Sequence, residues 1–331
     1  MQKNRREKRR ICIVDCHGRE INYMRISITD KCNLRCRYCM PDGVTLTNMS
    51  ELLSYEEIVS VCQQAVSLGI TRFKVTGGEP LVRREADKLV AMIKEVPGVE
   101  QVTLTTNGIL LKEYAEKLKM AGIDGINVSL DTLNAEKFRE ITGFDALNKV
   151  LEGIDAALKA GLKVKINSVL TKDNADYRSL ISFAQEKGIV LRFIEMMPIG
   201  YGKEQEGISN RWILDRLEEE YGKLRKASEN LGNGPAVYYR LPGKESVVGF
   251  ISAIHGKFCS SCNRIRMTAM GEIKPCLCYD TSISVKEPLR AGNMADVKAR
   301  LIWSMAQKPY AHCFEEVEKI TEAKKMVQIG G

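Results

Sequence analysis

A chain of 331 residues, 44% hydrophobic and 28% charged, has the composition of a globular protein and room for one large domain with a smaller companion. Of its formal charge of +8, Lys3, Arg5, Arg6, Lys8, Arg9 and Arg10 against Glu7 place +5 in the first ten residues, so the rest, at about +3, gives no reason to expect a nucleic-acid partner. No run of about 18 apolar residues is present to span a membrane, and no apolar segment follows the basic start to make it a secretory signal.

Eleven cysteines in such a chain point to a reducing, cytoplasmic setting and to metal binding rather than disulfides. Residues 1–17 read as a solvated basic tail. The first strand is expected at 24–28, and behind it stands Cys32-Asn33-Leu34-Arg35-Cys36-Arg37-Tyr38-Cys39, a C-x3-C-x2-C loop. Three thiolates converging on one point select zinc or an iron–sulfur cluster. A four-iron cluster usually takes four cysteines, so three leave one iron open for a substrate. The alternative is a structural zinc site with its fourth ligand elsewhere.

Further β-branched runs at 73–76, 102–105, 125–130, 164–170 and 191–196 alternate with amphipathic segments at 55–68, 85–95, 113–120, 135–141, 147–160 and 177–186. Ser54 with Glu57 makes a capping box for the first helix, whose face carries Ile58, Cys62, Ala65 and Val66. The alternation implies parallel strands with right-handed crossovers, an α/β barrel short of eight strands or a doubly wound open sheet. Each strand ends in polar or glycine residues, among them Gly77-Gly78-Glu79-Pro80, at the carboxyl rim where such folds place their sites. Glycines there let a backbone approach a ligand, although an ordinary βα turn would look the same.

After Pro198 the pattern changes: a polar, glycine-rich stretch, a helix at 212–221, a soft boundary near 225, and strands expected at 237–241, 247–254 and 264–269. A second triad, Cys259-x2-Cys262-x13-Cys276, reads alone as a zinc site completed by Cys278 or His255. Arg264 and Arg266, on one face of a strand inside it, can converge on one anion; the plainer reading is a pair of surface arginines.

The motifs Arg25-Ile26-Ser27-Ile28-Thr29-Asp30-Lys31-Cys32 through Cys39-Met40-Pro41, then 76–81, 104–108, 127–132, Arg192-Phe193-Ile194-Glu195, 258–268 and Gln328-Ile329-Gly330-Gly331 resemble the GTP 3',8-cyclases of the radical S-adenosylmethionine (radical SAM) superfamily, over about residues 18–331. That resemblance implies an incomplete (βα)6 TIM-type barrel over 18–225, and a smaller C-terminal α+β domain over 226–331 covering the barrel mouth. It implies two [4Fe-4S] clusters, the first on Cys32, Cys36 and Cys39 and the second on Cys259, Cys262 and Cys276, facing each other across that mouth. SAM would be lined by Tyr38, Gly78, Ser129 and Met197. GTP would meet Arg25, Lys74, Thr105, Lys165, Arg264, Ile265 and Arg266. Arg25, Arg264, Arg266, Gly330 and Gly331 would serve catalysis, the tail reaching into the active site.

The implied reaction begins molybdopterin biosynthesis: a 5'-deoxyadenosyl radical abstracts H3' of GTP, and C3' bonds to C8 to give (8S)-3',8-cyclo-7,8-dihydroguanosine 5'-triphosphate. Implied partners are a flavodoxin- or ferredoxin-type reductant and the next enzyme, cyclic pyranopterin monophosphate synthase, with a monomer or homodimer expected and neither membrane nor nucleic acid. Lys74 departs from the arginine frequent at its position, giving a point charge instead of a fork. Cys278 is an extra thiol, taken as a bystander. Two rivals remain: a peptide-modifying radical SAM enzyme, which would carry more C-terminal cysteines, and a zinc-stabilised nucleic-acid-binding protein, which the 6% aromatic content weakens.

Overall fold

Alternation inside the strands decides the architecture. In a computed structural model, which describes residues 13–41, 47–228, 231–243 and 247–330, the first six strands are β1 (Tyr23–Ser27), β2 (Arg72–Thr76), β3 (Gln101–Thr106), β4 (Gly125–Ser129), β5 (Val164–Ser168) and β6 (Val190–Ile194). Their apolar positions, Met24, Ile26, Phe73, Val75, Val102, Leu104, Ile126, Val128, Ile166, Leu191 and Phe193, lie in one buried core. The intervening positions carry Arg25, Lys74, Thr103, Thr105, Asn127, Lys165 and Arg192. Successive side chains of a strand point to opposite faces, so one face of this parallel sheet is greasy and the other polar. A complete eight-stranded barrel fills its interior with apolar layers. This chain does the reverse and keeps its apolar side for the helices.

Those helices are α1 (Tyr55–Ser67), α2 (Ala86–Glu95), α3 (Leu111–Met120), α4 (Ala135–Thr142), α5 (Leu147–Lys159) and α6 (Tyr177–Glu186). The Ser54 capping box forms as expected: Ser54 Oγ accepts from the Glu57 amide at 3.1 Å, and Glu57 Oε2 accepts from the Ser54 amide at 2.7 Å. Val61, not Val66, completes the fully buried face of α1 with Ile58, Cys62 and Ala65.

The remaining elements are α7 (Asn210–Tyr221), β7 (Arg225–Lys226), β8 (Val237–Arg240), β9 (Val247–Ile251), β10 (Arg264–Met267), β11 (Glu272–Lys274), β12 (Ile283–Ser284), α8 (Lys286–Arg290) and α9 (Met294–Ala306); the last two helices are additions to the sequence reading. All twelve strands form one sheet in the order β12-β11-β10-β1-β2-β3-β4-β5-β6-β9-β8-β7. The C-terminal strands thus extend both edges of the six-stranded core: β10 pairs parallel with β1, and β9 parallel with β6.

The sheet is strongly curled. A flat arrangement would hold β1 and β6 about 24 Å apart, at about 4.8 Å per strand. Yet Arg25 and Lys74 both feel the charge of Arg192 on β6, which requires the polar face to fold in on itself. Near the amino terminus Arg19 pairs with Asp15 at 2.6 Å and donates to the carbonyls of Cys259 and Pro309 at 2.9 and 2.8 Å, fastening this segment beside the second cysteine triad. No helix among the described residues is long and apolar enough to cross a membrane.

Candidate active site

The first triad hangs on the carboxyl end of β1, held there by the Gly77-Gly78 turn after β2. The Gly78 amide donates to Thr29 O at 2.7 Å and the Glu79 amide to Lys31 O at 2.8 Å. A Cβ on Gly78 would lie 2.4 Å from Lys31 O and 2.7 Å from Asp30 O. The glycines are therefore required by the cysteine loop's own backbone, a different reason from the ligand approach expected. Gly78→Ala should push the loop off its seat and lower iron retention and SAM binding at least tenfold, measurable by iron quantification and equilibrium dialysis.

Glu79, fully buried, orders the other side of this loop. Its carboxylate accepts from the Leu81 amide at 3.0 Å, Thr106 Oγ1 at 2.8 Å and the Asn107 amide at 2.6 Å, and burial pushes its pKa up to about 7. Asn107 Nδ2 in turn reaches Asn33 Oδ1 at 2.7 Å and Cys32 Sγ at 3.7 Å, while the Leu34 amide donates to Cys32 Sγ at 3.4 Å. Tyr38 donates to Asp131 at 2.7 Å, and Asp131, raised by burial to about 6, also accepts from the Val169 amide at 2.8 Å. Cys36, Tyr38, Asn107, Ser129 and Asp131 line one cavity beside the loop.

Burial pushes Cys32 up to about 11, Cys39 to about 12 and Cys36 well above the usual thiol value, with Glu79 adding to the rise at Cys32 and the neighbouring thiols at Cys36 and Cys39. Such a triad is unfavourable as three bare thiolates and is stabilised by a positive centre between them. Among the described residues no three metal-ligating side chains are arranged to hold a single ion, so a metal at either triad is indicated by the all-thiol donor set and not by a formed coordination shell.

The polar interior begins directly below. In register, Arg266 on β10 stands beside Arg25 on β1, which stands beside Lys74 on β2, and Arg264 stands beside Tyr23. Across the curl, Lys165 on β5 donates to Leu231 O, and Arg192 on β6 donates to Asn127 Oδ1 at 2.5 Å. Asn127 reaches Thr105 Oγ1 at 3.5 Å. Among the described residues, Lys74, Lys165, Arg192, Arg264 and Arg266 have no carboxylate ion-pair partner. Desolvation and the neighbouring cations hold Lys74 and Arg266 well below their ordinary values, and Lys165 at about 8. So much uncompensated positive charge in a partly dry interior fits a polyanion.

Ile265 does not share this interior. Between Arg264 and Arg266 its side chain alternates to the other face and is fully buried in the core, leaving only its main chain near the arginines. Arg192 joins this interior, and its polar side chain between Leu191 and Phe193 is the signal the sequence carries for it.

The second triad occupies the opposite end. Because Arg264 pairs with Tyr23 at the amino end of β1, Cys262 and Cys276 lie below the strands while the first triad lies above them. This corrects the expectation of two triads across one mouth; a five-residue strand of about 13 Å separates the two ends. Lys308, nearly fully buried, donates from Nζ to Arg264 O at 2.7 Å, Pro275 O at 3.0 Å and Cys262 Sγ at 3.5 Å. The His312 amide donates to Cys259 Sγ at 3.4 Å. Burial alone would raise Cys262, but Lys308 and Arg264 bring it below the ordinary thiol value, whereas burial raises Cys259 and Cys276. Positive charge and N–H donors on the sulfurs raise the potential of a cluster held there. Lys308→Gln should therefore lower it by on the order of 100 mV, read by potentiometric titration of the EPR signal.

The C-terminal segment bridges the two ends. The Val327 amide is aimed at the Cys39 thiol, and Gly330 O accepts from Arg266 Nη1 at 2.8 Å. Gly330 has φ +74°, and a Cβ there would come 3.0 Å from Ser27 Cβ, so only glycine fits without strain. Gly331 lies outside the described residues. Met197 packs with Ile199, Ile329 and Met326 in a satellite apolar cluster, beside the tail rather than in the cavity of Tyr38 and Ser129.

Residues 26–184 match the model of the Radical SAM superfamily, and residues 189–314 that of Molybdenum Cofactor Synthesis C. The chain is 42% identical over 322 residues to GTP 3',8-cyclase of Clostridium perfringens (strain 13 / Type A), covering 96% of this chain and 99% of the relative. It is 38% identical over 326 residues to that of Petrotoga mobilis, covering 96% and 100%. Among solved structures, Streptococcus suis SuiB bound to S-adenosylmethionine aligns with a TM-score of 0.64 at 16% identity, over 92% of this chain and 76% of the other. Native anSMEcpe with bound AdoMet aligns at 0.58 and 16%, over 91% and 84%. At such identities these two structures establish the fold.

Proposed function

The chain belongs to the GTP 3',8-cyclase family, and on that premise we propose how its residues divide the work. It is a radical SAM enzyme of the first step of molybdenum cofactor biosynthesis, converting GTP to (8S)-3',8-cyclo-7,8-dihydroguanosine 5'-triphosphate. Cys32, Cys36 and Cys39 hold a [4Fe-4S] cluster, with SAM in the cavity of Tyr38 and Ser129, the Gly78 turn at its methionyl end and Met197 near the tail. A cluster and SAM bound there would supply the radical chemistry that acts at H3'.

Everything else is positioning, charge and exclusion of water. Arg25, Lys74, Lys165 and Arg192 receive the triphosphate, while Thr105 holds Asn127 and through it the Arg192 fork. Arg264 and Arg266 lie nearest the second triad, where Cys259, Cys262 and Cys276 hold a second [4Fe-4S] cluster for the guanine. The main chain at Ile265 links the two arginines. A five-residue strand leaves a nucleotide's length between the two metal sites, so each anchors one reactant from its own end. The tail closes the space between them, with Gly330 on Arg266.

The observation that carries this reading is the interior of Lys74, Lys165, Arg192, Arg264 and Arg266, which among the described residues have no carboxylate ion-pair partner, flanked by thiol triads at both ends. Every described cysteine is a free thiol, in keeping with a cytoplasmic enzyme served by a flavodoxin- or ferredoxin-type donor and followed by cyclic pyranopterin monophosphate synthase.

Lys165, held near 8 by burial and by Arg192, gives the pH sign. A bound triphosphate favours its charged form, so binding takes up protons and weakens as pH rises through about 8. Calorimetry near pH 8 in buffers of different ionisation enthalpy should show that uptake, and Lys165→Met should reduce it.

The deciding experiment supplies anaerobically reconstituted enzyme, reductant and SAM with GTP deuterated at C3'. Deuterium in the released 5'-deoxyadenosine is expected. Unlabelled 5'-deoxyadenosine would keep the radical cleavage and overturn the site of attack.

A further inference from the structure

Two thiols outside both triads lie in contact. Cys278 Sγ and Cys313 Sγ are 3.4 Å apart, and the Cys313 amide also donates to Cys278 Sγ at 3.4 Å. Cys278 is fully buried, and Cys313 is partly exposed. Both sit in the satellite cluster with Leu277, Phe314, Ile320 and Ile329 of the tail.

Their neighbours touch the second triad from two sides. The Cys278 amide is directed at the Cys276 thiol, and the His312 amide, one residue before Cys313, donates to Cys259 Sγ. Closing a disulfide brings the sulfurs to about 2.05 Å, a displacement of over 1 Å shared by these two segments. A close-packed apolar cluster passes such a shift on rather than absorbing it.

We propose that Cys278 and Cys313 form a reversible redox pair, closed by low-molecular-weight disulfides, whose closure loosens the second triad. Cys313, the accessible thiol, attacks one sulfur of the oxidant and expels one thiol; Cys278 then displaces the second. The two cysteines lose two electrons and two protons, the oxidant is reduced to two thiols, and no other reagent is needed. The pairing rests on the two thiols alone; its effect on the cluster rests on the function proposed above.

The test exposes anaerobic holoenzyme to excess oxidised glutathione, then alkylates, digests and maps peptides by mass spectrometry, with the exposed Cys16 as internal control for thiol oxidation. A 278–313 cross-link is expected, reversed by dithiothreitol. The GTP-responsive EPR signal of the second cluster should fall at least twofold in parallel, with the first cluster unchanged. Cys313→Ser and Cys278→Ser should both abolish the cross-link and the signal loss while keeping unoxidised turnover within twofold. Cys278 and Cys313 still alkylatable when Cys16 is fully oxidised, or Cys276 in the cross-link instead, would overturn the pair. A cross-link with an unchanged second-cluster signal would overturn its coupling. Iron content of one cluster per chain would instead remove the two-cluster reading and leave the peptide map standing.

Discussion

Cys36→Ser is expected to abolish SAM cleavage, by at least about 10³-fold, and, with a four-iron cluster on each triad as proposed, to lower iron from about eight to about four atoms per chain. A serine oxygen is a poor ligand for iron–sulfur clusters, which select soft thiolates. Cys36 sits within reach of Cys32, Cys39 and Asp131, and each of the three thiols fills its own place in the loop. Cys262→Ser should lower iron equally but leave SAM cleavage standing, because the second triad is a strand length away. Product would vanish in both variants, and 5'-deoxyadenosine only in the first. Iron assay and chromatography of the nucleosides separate the two. Loss of 5'-deoxyadenosine in Cys262→Ser would mean that the ends are not independent.

Local chemistry was legible; long-range geometry was not. The six core strands follow from β-branched runs bounded by polar turns, and the interior could be read from Arg25 and Lys74 alternating with Met24, Ile26, Phe73 and Val75. The position of the second triad could not. It depends on Arg264 pairing with Tyr23 instead of Ser27, a choice between partners over 200 residues apart that leaves no periodic trace in either segment. Ile265 was carried along with its arginine neighbours, although strand alternation alone turns it away. The helix α9 went unread even though Asn293 caps it, with its side chain accepting from the Asp296 amide at 3.1 Å. Its exposed Ile302 and Trp303 blur the amphipathic pattern on which such a reading depends. Glu79 shows the same limit: the residues it satisfies, Leu81, Thr106 and Asn107, are joined only once β2 and β3 lie side by side.

Arg266→Ala should reduce product formation by about 10³-fold, while 5'-deoxyadenosine is still released without cyclisation. One charge-assisted hydrogen bond is worth about 1.5–3 kcal/mol, and in the proposed reading Arg266 makes two: the observed one to Gly330 O and a second to the nucleotide. Their combined loss, about 4 kcal/mol, converts to about 10³ at about 1.4 kcal/mol per decade. Deleting Gly330 and Gly331 removes the same contact from its other end and should cause a similar loss with the bound iron retained. Gly330→Ala tests the backbone alone, since its Cβ meets Ser27 and Thr76 at a φ that L-residues avoid. The diagnostic result is the combination. If arginine and tail act as one unit, Arg266→Ala with the deletion is scarcely worse than either change alone, as coupled sites require. If Arg266 serves the nucleotide only and the tail merely shields the interior, the two losses multiply. Iron loss in the deletion would show that Val327, whose amide faces Cys39, had been the tail's real anchor, and the tail would then belong to the first triad and not to the arginine.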